Sequence, residues 1–228
     1  MVKTDILIIS DIHLGTPVSR SRILLEFLKT ATFNKLILNG DIFDDLDFDR
    51  LSMDDWALFE YLRKLTNTKE DPEVVWIAGN HDVSARVLSR IIGIKVLSEY
   101  VFLWKGKRCL AIHGHQFDRF MNKNPVIGAV AGWIYLLIQE FDSRKQRFSR
   151  WIKRKSKSWL RLSKEVAQGS SAYGKFLKRA EYVFCGHTHQ DYETDAYGVH
   201  YLNSGCWTDI PSTYLTLDEN GARAHHVN

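Results

Sequence analysis

Five short clusters of carboxylate, imidazole and amide side chains punctuate the chain: Asp11-Ile12-His13, Gly40-Asp41, Gly79-Asn80-His81-Asp82, His113-Gly114-His115 and Gly186-His187-Thr188-His189. Oxygen and imidazole donors without thiols suit borderline-hard divalent ions such as Mn2+, Fe2+ or Zn2+, and argue against a structural zinc site. One carboxylate can bridge two such ions, and an ion pair of that kind clamps the attacking and leaving oxygens of a phosphoryl transfer. A single Asp-x-His would mean little, because a lone histidine near a strand end is usually a satisfied polar residue. Five pieces in order, each behind an apolar run, are not explained that way. The i, i+2 spacing of Asp11 with His13, and of His187 with His189, predicts side chains on one side of an extended backbone.

The elements that must position these clusters are legible from periodicity. Asp5–Ser10, Lys35–Asn39 and Glu73–Ala78 are short β-branched runs that predict strands. Between and after them, Arg20–Thr30, Asp54–Leu65 and Ser84–Ile92 show helical spacing. That alternation reads as βαβ units on a mainly parallel sheet, with ligands bound beyond the strand C-termini. Val101–Trp104 and Arg108–His113 predict a hairpin across Lys105-Gly106-Lys107, and Tyr182–Cys185, Asp191–Asp195, Val199–Asn203 and Thr213–Leu217 predict later strands. No linker divides the chain, so residues 1–228 read as one domain.

The middle of the chain differs. Ile134, Leu137, Ile138, Phe141, Phe148, Trp151, Ile152, Trp159 and Leu162 recur at helical intervals and predict an amphipathic helical insertion at about 120–180. Of the 31 Lys and Arg residues, ten lie between Ser143 and Lys164, a stretch with no Asp or Glu. The chain carries 27 acidic residues, so a basic segment is set on an acidic body, which asks for an anionic partner at one place. A basic amphipathic helix with Trp anchors suits an anionic lipid surface. A solvated helical face is the plainer reading, and nucleic acid is not expected. Arg86, just after the third cluster, is a candidate contact for a substrate phosphate.

At 228 residues, with 45% hydrophobic and 25% charged residues, the composition is that of a globular protein and excludes a disordered or fibrous chain. No stretch approaches the roughly 18 apolar residues of a spanning helix, and Met1–Asp5 runs directly into a strand, so no signal peptide is expected. Three scattered cysteines, Cys109, Cys185 and Cys206, point to a reducing compartment. Cys109 and Cys185 read as core packing, and Cys206 falls near a loop at the site. The expected location is the cytoplasm, with peripheral attachment to the inner face of the cytoplasmic membrane.

The order of the five clusters resembles the calcineurin-like metallophosphoesterases over nearly the whole chain. That resemblance implies an α/β (α+β) fold of two facing mixed β-sheets flanked by helices, with two divalent ions at the strand ends, Mn2+ first among them. It implies Asp11, His13, Asp41 and His189 on one ion, and Asp41 (bridging), Asn80, His113 and His187 on the other. His81 would act on the leaving oxygen, and Asp82 would orient His81. The stretches Gly40–Asp44, His113–Asp118 and Tyr201–Trp207, with the basic insertion, are similar to one branch, the UDP-2,3-diacylglucosamine pyrophosphatases. The chain departs from the best-known members of that branch at His81, where they have Arg, and at His115, where they usually have Asp. The branch implies a nucleotide-linked lipid of the lipid A pathway as substrate and a helical cap that holds its acyl chains. His115, Arg86, Trp151 and Lys153 are then the expected substrate-facing residues. Two rival readings are a broad phosphodiesterase or nucleotide pyrophosphatase on small soluble substrates, and a non-catalytic scaffold that binds a membrane or partner. Retention of every candidate ligand position speaks against the scaffold.

Overall fold

Alternation along the first strand dictates the layering. β1 (Lys3–Ile9) sends Ile6 and Ile8 into one apolar cluster and Leu7 and Ile9 into another, and all four are buried. A strand buried on both faces needs a layer on each side. The computed structural model, which describes residues 2–66, 72–82, 85–119 and 157–228, supplies both layers. Phe148, Trp151, Ile152 and Lys153, and with them most of the basic insertion, lie outside the described residues.

One sheet runs in the order β11 (Gly221–Val227), β10 (Ser212–Asp218), β1, β2 (Thr32–Asn39), β3 (Glu73–Ile77) and β4 (Val96–Leu97). The second runs β5 (Tyr100–Trp104), β6 (Lys107–Ala111), β7 (Tyr182–Cys185), β9 (Val199–Asn203) and β8 (Glu193–Ala196). Ile6, Ile8, Ile37 and Ile77 from the first sheet meet Phe102, Ala111, Phe184 and Leu202 from the second in the layer between them. Helices α1 (Ser21–Thr30), α2 (Met53–Thr66) and α3 (Ala85–Ile92) cover the other face of the first sheet. There Leu24, Leu28, Leu58, Leu62 and Leu88 close over Leu7, Ile9, Leu36, Leu38 and Trp76. On the outer face of the second sheet, α4 (Lys157–Tyr173) packs Ala167 with Leu110, Ile112, Val183 and Tyr201. This is the expected pair of mixed sheets flanked by helices.

Three expectations change. The sheets are mixed, as the resemblance implies, rather than mainly parallel, as the strand–helix alternation alone reads: β1 to β4 and β6, β7 and β9 run parallel, but β10, β11, β5 and β8 attach antiparallel. β11 was not expected, because Gly221-Ala-Arg-Ala-His-His-Val is small and polar and its residues are at most partly buried. From Lys157 onward the expected cap is instead a layer of the domain. Its buried positions are Ser163, Val166, Ala167, Ser170 and Ser171, small residues that let the helix lie close to the sheet, while Arg161 and Lys164 face solvent.

The parallel strands of both sheets deliver their C-terminal ends to one edge, and polar bonds there hold the sheets together. Asn39, fully buried at the end of β2, donates from Nδ2 to the carbonyls of Ile112 (3.4 Å) and Phe184 (3.2 Å) across the layer. The Ser10 and Ser204 hydroxyls meet at 2.6 Å, and the Trp207 amide donates to the Asp11 carbonyl at 3.0 Å. Asn39→Leu keeps the volume but takes the Asn39 donor from both carbonyls, so it should destabilise the fold by about 2–4 kcal/mol. A urea unfolding curve checks this; a midpoint unchanged from wild type would show that the bonds contribute nothing net.

Candidate metal centre

The site is built from turns that leave each parallel strand. The expectation of extended Asp-x-His pairs does not hold. Asp11, His13, Asp41, His187 and His189 all adopt left-handed backbone, with φ of 52°, 50°, 52°, 67° and 52°. Non-glycine residues visit that region rarely, at a cost of about 1–3 kcal/mol each, and such strain gathers at functional sites. The chain turns sharply at each of these positions, and side chains from separate strands therefore converge at one point.

Two glycines make the convergence possible. A Cβ on Gly79 would overlap both the carboxylate and the main-chain nitrogen of Asp41, and one on Gly186 would overlap the Asp11 carboxylate and the Ser10 side chain. The loops after β3 and β7 can press against those carboxylates because no side chain intervenes. Their amides then bond the acids: His81 N–H donates to Asp41 Oδ1 at 2.8 Å, and His187 N–H to Asp11 Oδ1 at 3.1 Å.

The ligand-type atoms fall into adjoining groups, each within 4.8 Å. Asp11, His13 and His189 form one, Asp41, His113 and His187 another, and His13, Asp44 and His81 a third. In the first, His189 Nε2 lies 3.2 Å from Asp11 Oδ1 and 3.1 Å from His13 Nε2. In the second, His113 Nε2 lies 3.1 Å from Asp41 Oδ2. The same Asp41 oxygen is 3.9 Å from His13 Nε2, so Asp41 joins the two groups. His113 donates from Nδ1 to the Asn39 carbonyl (2.8 Å), and His13 from Nδ1 to the Asp44 carboxylate (3.3 Å). Each bond commits one ring nitrogen outward and leaves Nε2 turned toward the carboxylates, the arrangement of a metal-ligating imidazole.

The electrostatics agree with a cation site. Burial opposes charge on His113, yet the Asp41 carboxylate, then Asp11, pushes it up to about 9. Burial likewise opposes charge on His189, but Asp11 and then Cys206 hold it well above the ordinary histidine range. Buried Asp11 and Asp41 both stay below the usual carboxylate range because these imidazoles face them. Fully buried acids thus draw positive charge from their surroundings, and the converging oxygen and imidazole-nitrogen donors fit divalent cations. The residues present fit a dinuclear site, with Asp11, His13 and His189 on one side, His113 and His187 on the other, and Asp41 between.

The remaining expected residues are placed as follows. Asn80 is exposed, between Gly79 and His81, both of which pack on Asp41. His81 stands at the mouth, its side chain 41% exposed, its ring edge-on to His13 at 4.8 Å and its Nδ1 donating to the Asp44 carbonyl at 2.8 Å. Asp82 does not orient His81. Its buried carboxylate accepts main-chain N–H bonds from Asp41 (3.0 Å), Ile42 (3.2 Å), Phe43 (3.3 Å) and Gly79 (3.0 Å), and so clasps the loops after β2 and β3. Burial, then the Asp41 charge, pushes Asp82 up to about 6. His115 sits 5.5 Å from the His113 ring and 6.3 Å from that of His187; burial and then those two imidazoles push it down to about 4, so it is neutral at pH 7. Arg86 is exposed on α3.

Three further residues shape the site. Asp44 carries the third group, buried Asp118 accepts from His187 Nε2 at 3.0 Å, and Trp159 Nε1 donates to the Thr188 carbonyl between the two histidines of that loop (2.7 Å). Asp44 and Asp118 end the Gly40–Asp44 and His113–Asp118 stretches and were visible there, without a role. Trp159, one of the Trp anchors expected on the basic amphipathic helix, reaches the site from α4 and bonds the loop after β7.

Two mixed sheets between helical layers, with paired Asp and His groups at the strand ends, define a metal-dependent phosphoesterase. The calcineurin-like phosphoesterase family matches residues 4–191, and the chain belongs to it. Among solved structures it is similar to an archaeal phosphodiesterase (15% identity, 97% of this chain and 99% of that chain, TM-score 0.52). It is also similar to the phosphoesterase YfcE of E. coli (16% identity, 94% and 88%, TM-score 0.50) and to a Vps29 variant of Entamoeba histolytica (13% identity, 97% and 97%, TM-score 0.49). No curated protein sequence matches.

Gly79→Ala tests the close approach that the centre requires. It should weaken Mn2+ binding at least tenfold in titration calorimetry while the far-UV circular dichroism stays that of wild type. Wild-type affinity in a folded variant would show that the β3 loop does not shape the centre.

Proposed function

We propose that the protein hydrolyses a pyrophosphate or phosphodiester bond in a nucleotide-linked lipid of the UDP-2,3-diacylglucosamine type, using two Mn2+ ions. The observation that supports metal-dependent hydrolysis is the position of Asp41, whose Oδ2 lies within 4 Å of ring nitrogens from both flanking groups. Asp11, His13, Asp41 and His189 would hold one ion, and Asp41, Asn80, His113 and His187 the other. Two such ions, when bound, lower the pKa of water and neutralise phosphoryl oxygens.

The chain's own residues supply the rest. His113 and His13, fixed through Nδ1, present Nε2 without searching alternative rotamers. His81 commits its Nδ1–H to the Asp44 carbonyl, so it would serve the leaving oxygen as the doubly protonated ring, giving up the Nε2 proton and returning to the neutral Nδ1–H form. Neutral His115 adds a polar face beside His113 without adding charge.

The lipid is supported by the sequence between Ser143 and Lys164, where basic residues and Trp151 and Trp159 share one stretch. No helix among the described residues is long and apolar enough to cross a membrane, so contact with lipid would be made by a surface of this kind, at an anionic membrane face. Trp151 and Lys153 would then meet acyl chain and headgroup.

Metal-stripped protein reloaded with Mn2+, assayed on UDP-2,3-diacylglucosamine and on the deacylated UDP-sugar, tests the reading. Turnover of the acylated substrate should exceed that of the other at least tenfold, and His81→Ala should lower kcat on the order of 10²-fold. Equal turnover of both would move the assignment to small soluble phosphodiesters. Failure to cleave any phosphoester with any divalent ion would leave a binding scaffold.

A further inference from the structure

The loop after β7 carries one ligand-type imidazole for each flank of the centre, His189 in the group with Asp11 and His187 in the group with Asp41. Both histidines hold left-handed backbone, which persists only where the surroundings fix it firmly. Thr188, between them, is buried, so its carbonyl cannot turn to bulk water for a donor. Trp159 supplies one: its Nε1–H donates to the Thr188 carbonyl at 2.7 Å. The donor belongs to α4, the helix packed on the outer face of the second sheet.

A second contact from the same helix follows one turn along, where Ser163 Oγ lies 2.9 Å from Gln190 Oε1, just past His189. Further down α4, Gly169 lets Phe117 lie close, since a Cβ on that glycine would stand 2.9 Å from the Phe117 Cβ. Beside Phe117, Asp118 accepts from His187 Nε2 at 3.0 Å. The His187 ring is therefore held by a segment that leans on α4, and the main chain next to it by Trp159. Asn203, at the end of β9, holds the start of the loop by donating from Nδ2 to the Gly186 carbonyl at 2.6 Å. The middle, between the two imidazoles, is held from α4.

We infer that Trp159 is a positioning residue for the metal centre of the hydrolysis proposed above, and that it acts on both flanks at once through the Thr188 carbonyl. A phenyl ring at this position keeps much of the apolar contact and leaves the carbonyl without its donor. The loop then relaxes from the strained backbone at residues 187 and 189, and the two imidazoles move with it. The same helix turns Arg161 and Lys164 to solvent, so its outward charge and its inward hold on the centre sit on one element.

The test rests on the phosphoesterase reading in its kinetic arm alone. In hydrogen exchange of the metal-free full chain, followed by 15N-resolved NMR, the Trp159 indole N–H should exchange at least tenfold more slowly than that of Trp56, which is 43% exposed. In calorimetry with Mn2+, Trp159→Phe should bind both ions about tenfold more weakly, the low end of what a lost outer partner costs a metal site. Val199→Ala, cut from the apolar cluster that α4 shares with the second sheet, is the control. It should lower the urea midpoint and keep wild-type Mn2+ affinity. With a chromogenic phosphodiester, Trp159→Phe should need about tenfold more Mn2+ for half-maximal turnover, while kcat at saturating Mn2+ and KM stay within twofold. A folded Trp159→Phe protein with wild-type Mn2+ affinity would overturn the inference. An equal loss in Val199→Ala would also overturn it, because the effect would then follow stability alone. Should Trp159→Phe not fold, the exchange rate decides: slow exchange supports the hold on Thr188, and exchange as fast as that of Trp56 overturns it. If wild-type protein cleaves no phosphoester while the exchange and Mn2+ results come out as stated, the functional reading fails and the positioning role stands.

Discussion

Two carboxylates taken almost completely out of water, Asp11 and Asp41, set the terms for the rest of the molecule. An ionised carboxylate in a protein interior costs several kcal/mol unless donors and opposite charge surround it. Here amides of the opposing loops supply part of the compensation, from His187 to Asp11 and from His81 to Asp41. The imidazoles of His189 and His113 supply more by holding protons that burial alone would remove. Divalent cations would do the same with more charge, and their binding would release those protons, so affinity should rise with pH. The acids are therefore tolerable only in a fold that can bring imidazoles and cations to them.

That requirement explains why the fold is layered as it is. Parallel strands from two sheets end at one edge, and the turns after β1, β2 and β7 carry residues twisted into left-handed backbone. Five such residues together store strain of several kcal/mol, on the usual scale of about 1–3 kcal/mol each. Three apolar clusters, one between the sheets and one on each outer face, hold the strand ends against it. The clasps at the edge are polar and specific: Asn39 across the sheets, Asp82 across the loops after β2 and β3. Asp82 shows how far a residue of a catalytic-looking motif can serve the scaffold rather than the chemistry.

Strong periodicity and motif order were legible in the sequence, and through-space partnerships were not. β7 and β9 were read to the residue, and the three helices over the first sheet to within a residue or two, because apolar alternation and helical spacing are local signals. β4 and β11 escaped because one is a two-residue strand and the other lacks an apolar face. Of the site, the Asp and His residues that converge at the strand ends were all visible, since each sits directly after an apolar run. Asp44, Asp118 and Trp159 act by touching residues 29 or more positions away, and only the folded chain reveals the contact. The basic helix misled in part: Arg161 and Lys164 lie on the solvent face of a helix whose other face is core.

Asp41 as the shared ligand of two ions is the feature on which the proposed chemistry depends. An anomalous difference map from a crystal grown with Mn2+ addresses this directly. Two peaks about 3.5–4 Å apart, both within coordination distance of Asp41, with Asp11, His13 and His189 around one and His113 and His187 around the other, are the predicted result. A single peak, or peaks that leave Asp41 uncoordinated, would contradict it.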